Sequence, residues 1–396
     1  MKIESIRVKN YKIFRDMLIT NIPRMCVFLG ANGAGKSTLF DVFGFLSDSL
    51  RGNITTAINR RGGFKEVVSR DQTGPIEFEI KFRNLTKDGA RAPLITYNLE
   101  IGEENRKPII LREILKYRRG QSGQPWFFLN FSRGKGQAIK NEEDYGKKDA
   151  VEEREEQSLE SADILAIKGL GQFKRFKAVA AFRVLLENWF VSNFQIQAAQ
   201  SISDTGVSEH LSTTGNNLAQ VTKFIYDYHP DTFKSILEKM RQRIPGIAKV
   251  EATDTEDGRI ILKFQDGSFK DPFISRYVSD GTIKMFAYLV LLNDPNPHPL
   301  LCIEEPENFL HPELLMELAE ELREYSHRGG QVFVSTHSPD FVNALRIDEL
   351  FWLSKKDGYS VVQRAQDDHV VRQLCEAGDQ LGYLWVQKYL KGSGPK

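Results

Sequence analysis

Along the first fifty residues the apolar positions alternate, then run together, then fall into helical steps. "KIESIRV" and "MLITNI" alternate and predict strands, "MCVFLG" is a short continuous apolar strand, and Leu39, Val42, Phe43, Leu46 and Leu50 recur at helical spacing. A strand therefore runs into a Gly-rich turn and then a helix. Alternation returns in "PIEFEIKF" and "LITYNLEI", which predicts an antiparallel, half-exposed sheet. In the last third, "PLLCIEE", "GQVFVST" and "DELFWLS" are short apolar strands. Between the first two, "PELLMELAEELREYS" is an amphipathic helix with Leu315, Leu318, Leu322 and Tyr325 on one side. Strand, helix, strand at this spacing predicts a parallel sheet.

Between these regions the pattern weakens. Residues 118–160 fade into Gly, Ser and charge, with "NEEDYGKKDAVEEREEQSLE" mostly acidic, and are expected to form an insertion or mobile connector. Residues 168–183, "KGLGQFKRFKAVAAFR", reverse the sign and place Phe173, Phe176, Val179 and Phe182 at three-residue steps, predicting the start of a basic amphipathic helix. A second helical stretch covers residues 216–243, and "RIILKFQ" restores a strand. No internal repeat or sustained heptad occurs, so no long coiled coil is expected.

Composition adds limits. The 54 Lys+Arg nearly cancel the 53 Asp+Glu, so any nucleic-acid site must be a local patch. Cys26, Cys302 and Cys375 have no CxxC spacing, which argues against a zinc or disulfide framework and for a reducing cytoplasm. The alternating N-terminus is not expected to act as an export signal, and no apolar run long enough to cross a membrane occurs.

The chemistry is carried by three short stretches. "GANGAGKS", residues 30–37, fits GxxxxGK[ST] between a predicted strand and a predicted helix, the context that makes it a P-loop. Backbone N–H groups of Gly30, Asn32, Gly33 and Gly35 would close around phosphate oxygens, the helix start at Lys36, Ser37 and Thr38 adds its dipole, and Lys36 supplies a mobile charge. In "LLCIEEPENFLHP", Glu304 and Glu305 end a buried strand, and two adjacent carboxylates there call for a cation. Mg²⁺ held by Ser37 and, directly or through water, by Glu304 would answer that need, leaving Glu305 to polarise the water that attacks the γ-phosphate of ATP. "STHSP" puts His337 at another strand end, where it can reach the γ-phosphate or that water.

The P-loop, "YVSDGTIKMFAYLVLL", "LLCIEEPENFLHPELL" and "VFVSTHSP" resemble, in order and form, the ABC-type ATPase superfamily, most closely its RecF, SMC and OLD-type branch, often described as AAA family ATPases. The resemblance implies an α/β ATPase head with a mixed central sheet, a flanking antiparallel sheet and a helical insertion. It makes "SDGT" the signature motif, whose Ser279 and Gly281 would meet the γ-phosphate held by the P-loop of a second subunit. An ordinary N-cap is the plain alternative for Ser279. The resemblance also makes residues 307–312 a dimer-facing loop, places Lys12 near the nucleotide, and offers Gln72, by position only, for the glutamine loop. Neither a TOPRIM domain of the OLD nuclease type nor an SMC-type coiled coil is expected from this sequence.

The expected organisation is a single head over residues 1–396. It comprises a P-loop lobe at 1–117, a charged and helical insertion at 118–245, a lobe at 246–356 bearing the signature, the carboxylate pair and His337, and a tail at 357–396. The expected function is a dimeric, Mg²⁺-dependent ATP-hydrolysing switch that sandwiches ATP between subunits, with higher oligomers open. It would control a separate effector, a nuclease being favoured, in bacterial antiphage defence or DNA transactions. An ATP-gated DNA clamp of RecF type is the alternative, and a transporter ATPase fits less well. Lys168, Lys174, Arg175, Lys177 and Arg183 are either phosphate contacts or a solvated face paired with the acidic stretch. The three cysteines and seven histidines suggest no second metal constellation. The tail "QLGYLWVQKYLKG" aligns Leu381, Leu384, Trp385 and Tyr389, for docking or for packing on its own core.

Overall fold

Alternating inward Ile, Val and Phe residues build the sheet strands of the structure, a computed structural model describing residues 2–83, 93–118, 124–145, 147 and 150–394. The chain divides into two compact units: residues 1–189, 346–380 and 384–396, and residues 190–345 with 381–383.

The first unit contains an eight-stranded sheet. Its spatial order is Phe14–Thr20, Lys2–Tyr11, Ile76–Arg83, Leu94–Glu104, Lys107–Arg118, Pro125–Ser132, Lys135–Ile139 and Arg154–Ser158, with every neighbouring pair antiparallel. Strand Ile76–Arg83 alternates buried and half-buried residues along its whole length, as its sequence pattern predicts. Residues 118–160 correct the expected connector: they supply three of these strands. "PWFFLNFS" buries Trp126, Phe128, Leu129 and Phe131, whereas Lys135–Ile139 buries only Ala138 and Ile139 and Arg154–Ser158 is polar, so both join the sheet with little hydrophobic signal.

The same unit holds the P-loop strand, Met25–Leu29, buried at every residue and parallel to Leu350–Lys356, which in turn pairs antiparallel with Tyr359–Arg364. The helix expected over residues 168–183 is broken into Ala166–Leu170 and Lys177–Glu187. Gly171 separates them, and a Cβ there would stand 2.4 Å from the Ile167 carbonyl oxygen. Phe176, Val179 and Phe182 face inward as predicted, while Phe173 stays exposed.

In the second unit Leu300–Glu304 and Gln331–Ser335 pair in parallel, joined by the amphipathic helix Glu313–His327 whose Leu315, Leu318, Leu322 and Tyr325 are buried. This is the predicted strand, helix, strand unit. Helix Asp280–Leu292 is buried at every position from Thr282 onward, so it runs through the core with no polar face. Ile247–Asp254 and Arg259–Asp266 form an antiparallel pair, preceded by helices Leu218–Tyr228 and Pro230–Arg243.

Candidate active site

In the first unit the P-loop lies between Met25–Leu29 and the helix Lys36–Arg51. Gly35 has φ 107°, and a Cβ on it would sit 2.6 Å from Ser360 Oγ and 3.0 Å from Ile13 Cγ2. Only glycine fits both the backbone and the space. Ser360 Oγ also donates to the Ala34 carbonyl at 2.5 Å, bracing the loop from behind. Lys36 is buried and turns back over the loop, its Nζ donating to Gly30 O at 2.7 Å and Ala31 O at 3.3 Å. Asn32, Gly33 and Ser37 are exposed and Thr38 is half-buried, so the outer face of the loop is open to a ligand.

Lys12 and Gln72 are held by neighbours in this unit. Lys12 Nζ meets Asp41 Oδ2 at 2.5 Å, and the same carboxylate accepts from Tyr11 Oη at 2.7 Å and from Arg61 Nε at 2.7 Å. Burial pushes the Asp41 carboxyl up, but Lys12, Arg61 and Tyr11 together hold it below its ordinary value. Gln72 Nε2 donates to Tyr359 Oη at 3.0 Å, next to the Ser360 that braces the loop.

The second unit gathers the carboxylates. Strand Leu300–Glu304 is buried through Ile303, and Glu304 emerges exposed at its end. Glu305 then adopts a left-handed backbone, φ 45°, its N–H donating to Ser335 O at 2.8 Å. Its carboxylate accepts from Asn308 Nδ2 at 2.9 Å and lies 3.5 Å from His337 Nε2. Glu305 and His337, separate in sequence, are thus brought together. Sequence reasoning gave no role to Glu307 and Lys284, which support this pair. Glu307 Oε1 accepts from the His337 N–H at 2.6 Å and from Thr336 Oγ1 at 2.8 Å. Lys284 Nζ donates to Asn308 O at 2.7 Å and Glu305 O at 3.3 Å, and burial pulls its ammonium down to about 8 against the opposing pull of Glu307 and Glu305. In the sequence Glu307 shows only as the start of the dimer-facing loop, and Lys284 stands inside an otherwise apolar helix.

Ser279 is exposed and caps helix Asp280–Leu292, its Oγ accepting from Thr282 N at 3.3 Å and lying 2.7 Å from Thr282 Oγ1. A Cβ on Gly281 would meet Phe309 O at 2.6 Å, so this glycine lets the helix start approach the loop after the carboxylates. Of the basic run, Lys168 donates to the Arg51 and Gly52 carbonyls, Arg175 pairs with Glu155 at 3.0 Å, and Arg183 with Glu187 at 3.0 Å.

Residues 25–343 match the family model described as "AAA domain, putative AbiEii toxin, Type IV TA system". The chain belongs to this AAA family. No curated protein matches it. Among solved structures, an SMC head bound to the C-winged helix domain of ScpA aligns with TM-score 0.55 at 14% identity, covering 92% of this chain and 97% of its own. An SMC head with an extended coiled coil, bound to the C-terminal domain of ScpA derived from Pyrococcus furiosus, aligns with TM-score 0.51 at 13% identity, covering 95% and 99%. The AAA-family chain therefore has the fold of an ABC-type ATPase head of the SMC type. Among its described residues no helix is long and apolar enough to cross a membrane.

Proposed function

We propose that this AAA-family protein is a Mg²⁺-dependent ATPase working as a dimeric switch on a separate effector, in antiphage defence or DNA transactions. The observation that carries the ATPase reading is the pairing of Glu305 with His337 at 3.5 Å, with Glu307 holding the His337 backbone. In the P-loop, a backbone that only glycine can follow at Gly35 fits a phosphate chain, and Lys36 is placed to exchange its carbonyl partners for phosphate oxygens. Ser37 and Glu304 are the residues that would hold Mg²⁺, which supplies charge neutralisation on the phosphates. Glu305 orients and polarises water, His337 assists it, and Ser279 with Gly281 presents a helix start to the γ-phosphate of a partner subunit.

The two SMC heads compared above are bound to ScpA domains, which supports action through a separate protein, and the toxin wording of the family description supports a defence role. The DNA-clamp reading has less support, since Lys168, Arg175 and Arg183 already have partners within the fold. Glu305→Gln tests the ATPase. It should retain ATP binding and lose most hydrolysis, because the amide keeps the size and removes the charge. Turnover close to wild type would remove Glu305 from the reaction.

A further inference from the structure

We infer that His210, Asp294 and His298 form a site for one divalent transition-metal ion of the zinc class, separate from the nucleotide site. One ligand atom from each residue lies within 4.8 Å of the others. His210 Nδ1 and Asp294 Oδ2 are 2.7 Å apart, and the His210 and His298 ring centroids are 5.2 Å apart. The sequence offered no sign of this, because His210 stands 84 residues before Asp294 and the spacing matches no metal-binding motif. The sequence suggests no second metal constellation among the histidines and cysteines; the fold brings these three side chains together.

Asp294 is buried, at 5% exposure, and a carboxylate so far from water needs a positive or hydrogen-donating environment. Its Oδ1 accepts from Asn296 N at 2.8 Å, while Oδ2 faces His210. Two imidazoles and one carboxylate suit zinc, cobalt or nickel and not magnesium or calcium, which prefer oxygen alone. Around a tetrahedral ion with bonds of about 2.1 Å, ligand atoms stand roughly 3.4 Å apart, so the cluster closes with movements on the order of 1 Å.

The surroundings hold the ligands in place. Tyr325 Oη donates to His298 O at 2.9 Å, Asn217 Nδ2 donates to His210 O at 3.0 Å, and the Phe190 ring lies 5.1 Å from that of His298. The two hydrogen bonds hold the backbone of His298 and His210, and the Phe190 ring packs beside the His298 imidazole. The His210 side chain is 38% exposed, giving the ion a route in. His298 precedes strand Leu300–Glu304, so the site lies at the opposite strand end from Glu304, roughly 20 Å away at about 3.3 Å per residue. The ion would tie the turn around His210 to the entry of that strand, with a fourth coordination position left to water.

The full chain, stripped with chelator and shown by circular dichroism to be folded, is titrated with Co²⁺ and then Zn²⁺ without nucleotide. One equivalent of Co²⁺ should give a visible d–d absorption that Zn²⁺ displaces. His210→Ala, at a partly exposed position, should remain folded and weaken Co²⁺ binding by about tenfold or more. Lys36→Ala in the P-loop should leave the spectrum unchanged, which separates this site from the proposed ATPase. A folded wild type with no stoichiometric cobalt spectrum, or a spectrum unaltered in His210→Ala, overturns the assignment.

Discussion

At the scale of single residues, the second unit stores strain where the chemistry is proposed. A non-glycine residue with φ 45° costs about 1–3 kcal/mol, and Glu305 is kept there by its N–H bond to Ser335 O and by Lys284 on its carbonyl. Lys284 reaches Asn308 O as well, so one buried ammonium fixes both ends of the turn. A charged hydrogen bond of this kind is worth about 1.5–3 kcal/mol, so Lys284→Met should lower ATP turnover roughly tenfold or more through displacement of Glu305. Nucleotide affinity, measured by equilibrium binding, should stay near that of wild type. Unchanged turnover would show that the turn holds its shape without Lys284. Burial also gives this lysine a stability signature. Its folded value of about 8 lies below the ordinary 10.5, so the lysine costs stability at neutral pH, and that cost fades as pH climbs from about 8 toward 10.5.

At the scale of elements, a buried carboxyl joins sheet to helix in the first unit. Glu113, in strand Lys107–Arg118, accepts from Ala166 N at 2.5 Å and Ile167 N at 3.1 Å at the start of helix Ala166–Leu170, and Tyr97 Oη donates to it at 3.1 Å. Burial pushes its carboxyl up to about 7, outweighing these three donors. A carboxyl raised above its unfolded value of 4.5 binds more protons when folded, so stability is greatest at low pH and is lost as pH rises toward and through 7. Between pH 5 and pH 8 the loss is on the order of 2–3 kcal/mol. Glu113→Gln, neutral throughout, should flatten this dependence in thermal melts at the two pH values; an equal slope in both proteins would refute the buried titration. Sequence pattern made the sheet strands legible where side chains alternate, as in Ile76–Arg83, and missed Arg154–Ser158, where backbone bonds alone define the strand.

At the scale of the whole molecule, the proposed ATP sandwich requires two copies. Ser279 is exposed at a helix start, and Phe309 and Met316, on the loop and helix that follow the carboxylates, are 66% and 57% exposed. A two-fold dimer in which Ser279 completes a partner's P-loop makes each defect complementable. Lys36→Ala and Ser279→Arg should each be inactive alone, and a mixture should regain ATP turnover through heterodimers carrying one intact site. Light scattering should show ATP-dependent dimerisation of Glu305→Gln. A mixture as inactive as its parts, together with no change of mass on adding ATP, would defeat the trans arrangement.

By itself the sequence determined the strand, loop and helix around Lys36, the parallel pair ending at Glu304 and Ser335, and the cap at Ser279. Each is a local pattern, written in hydrophobic period, glycine placement and turn chemistry within a few residues. Tertiary structure alone decided that Glu307 would hold the His337 backbone, that Lys284 would fix the Glu305 turn, and that Glu113 would cap a helix 53 residues away. It also decided that His210 would meet Asp294 and His298. Periodicity records which side of an element is buried; it carries no record of which distant polar groups meet there. Those meetings are imposed by packing, which leaves a buried charge stable only where the fold supplies its partner.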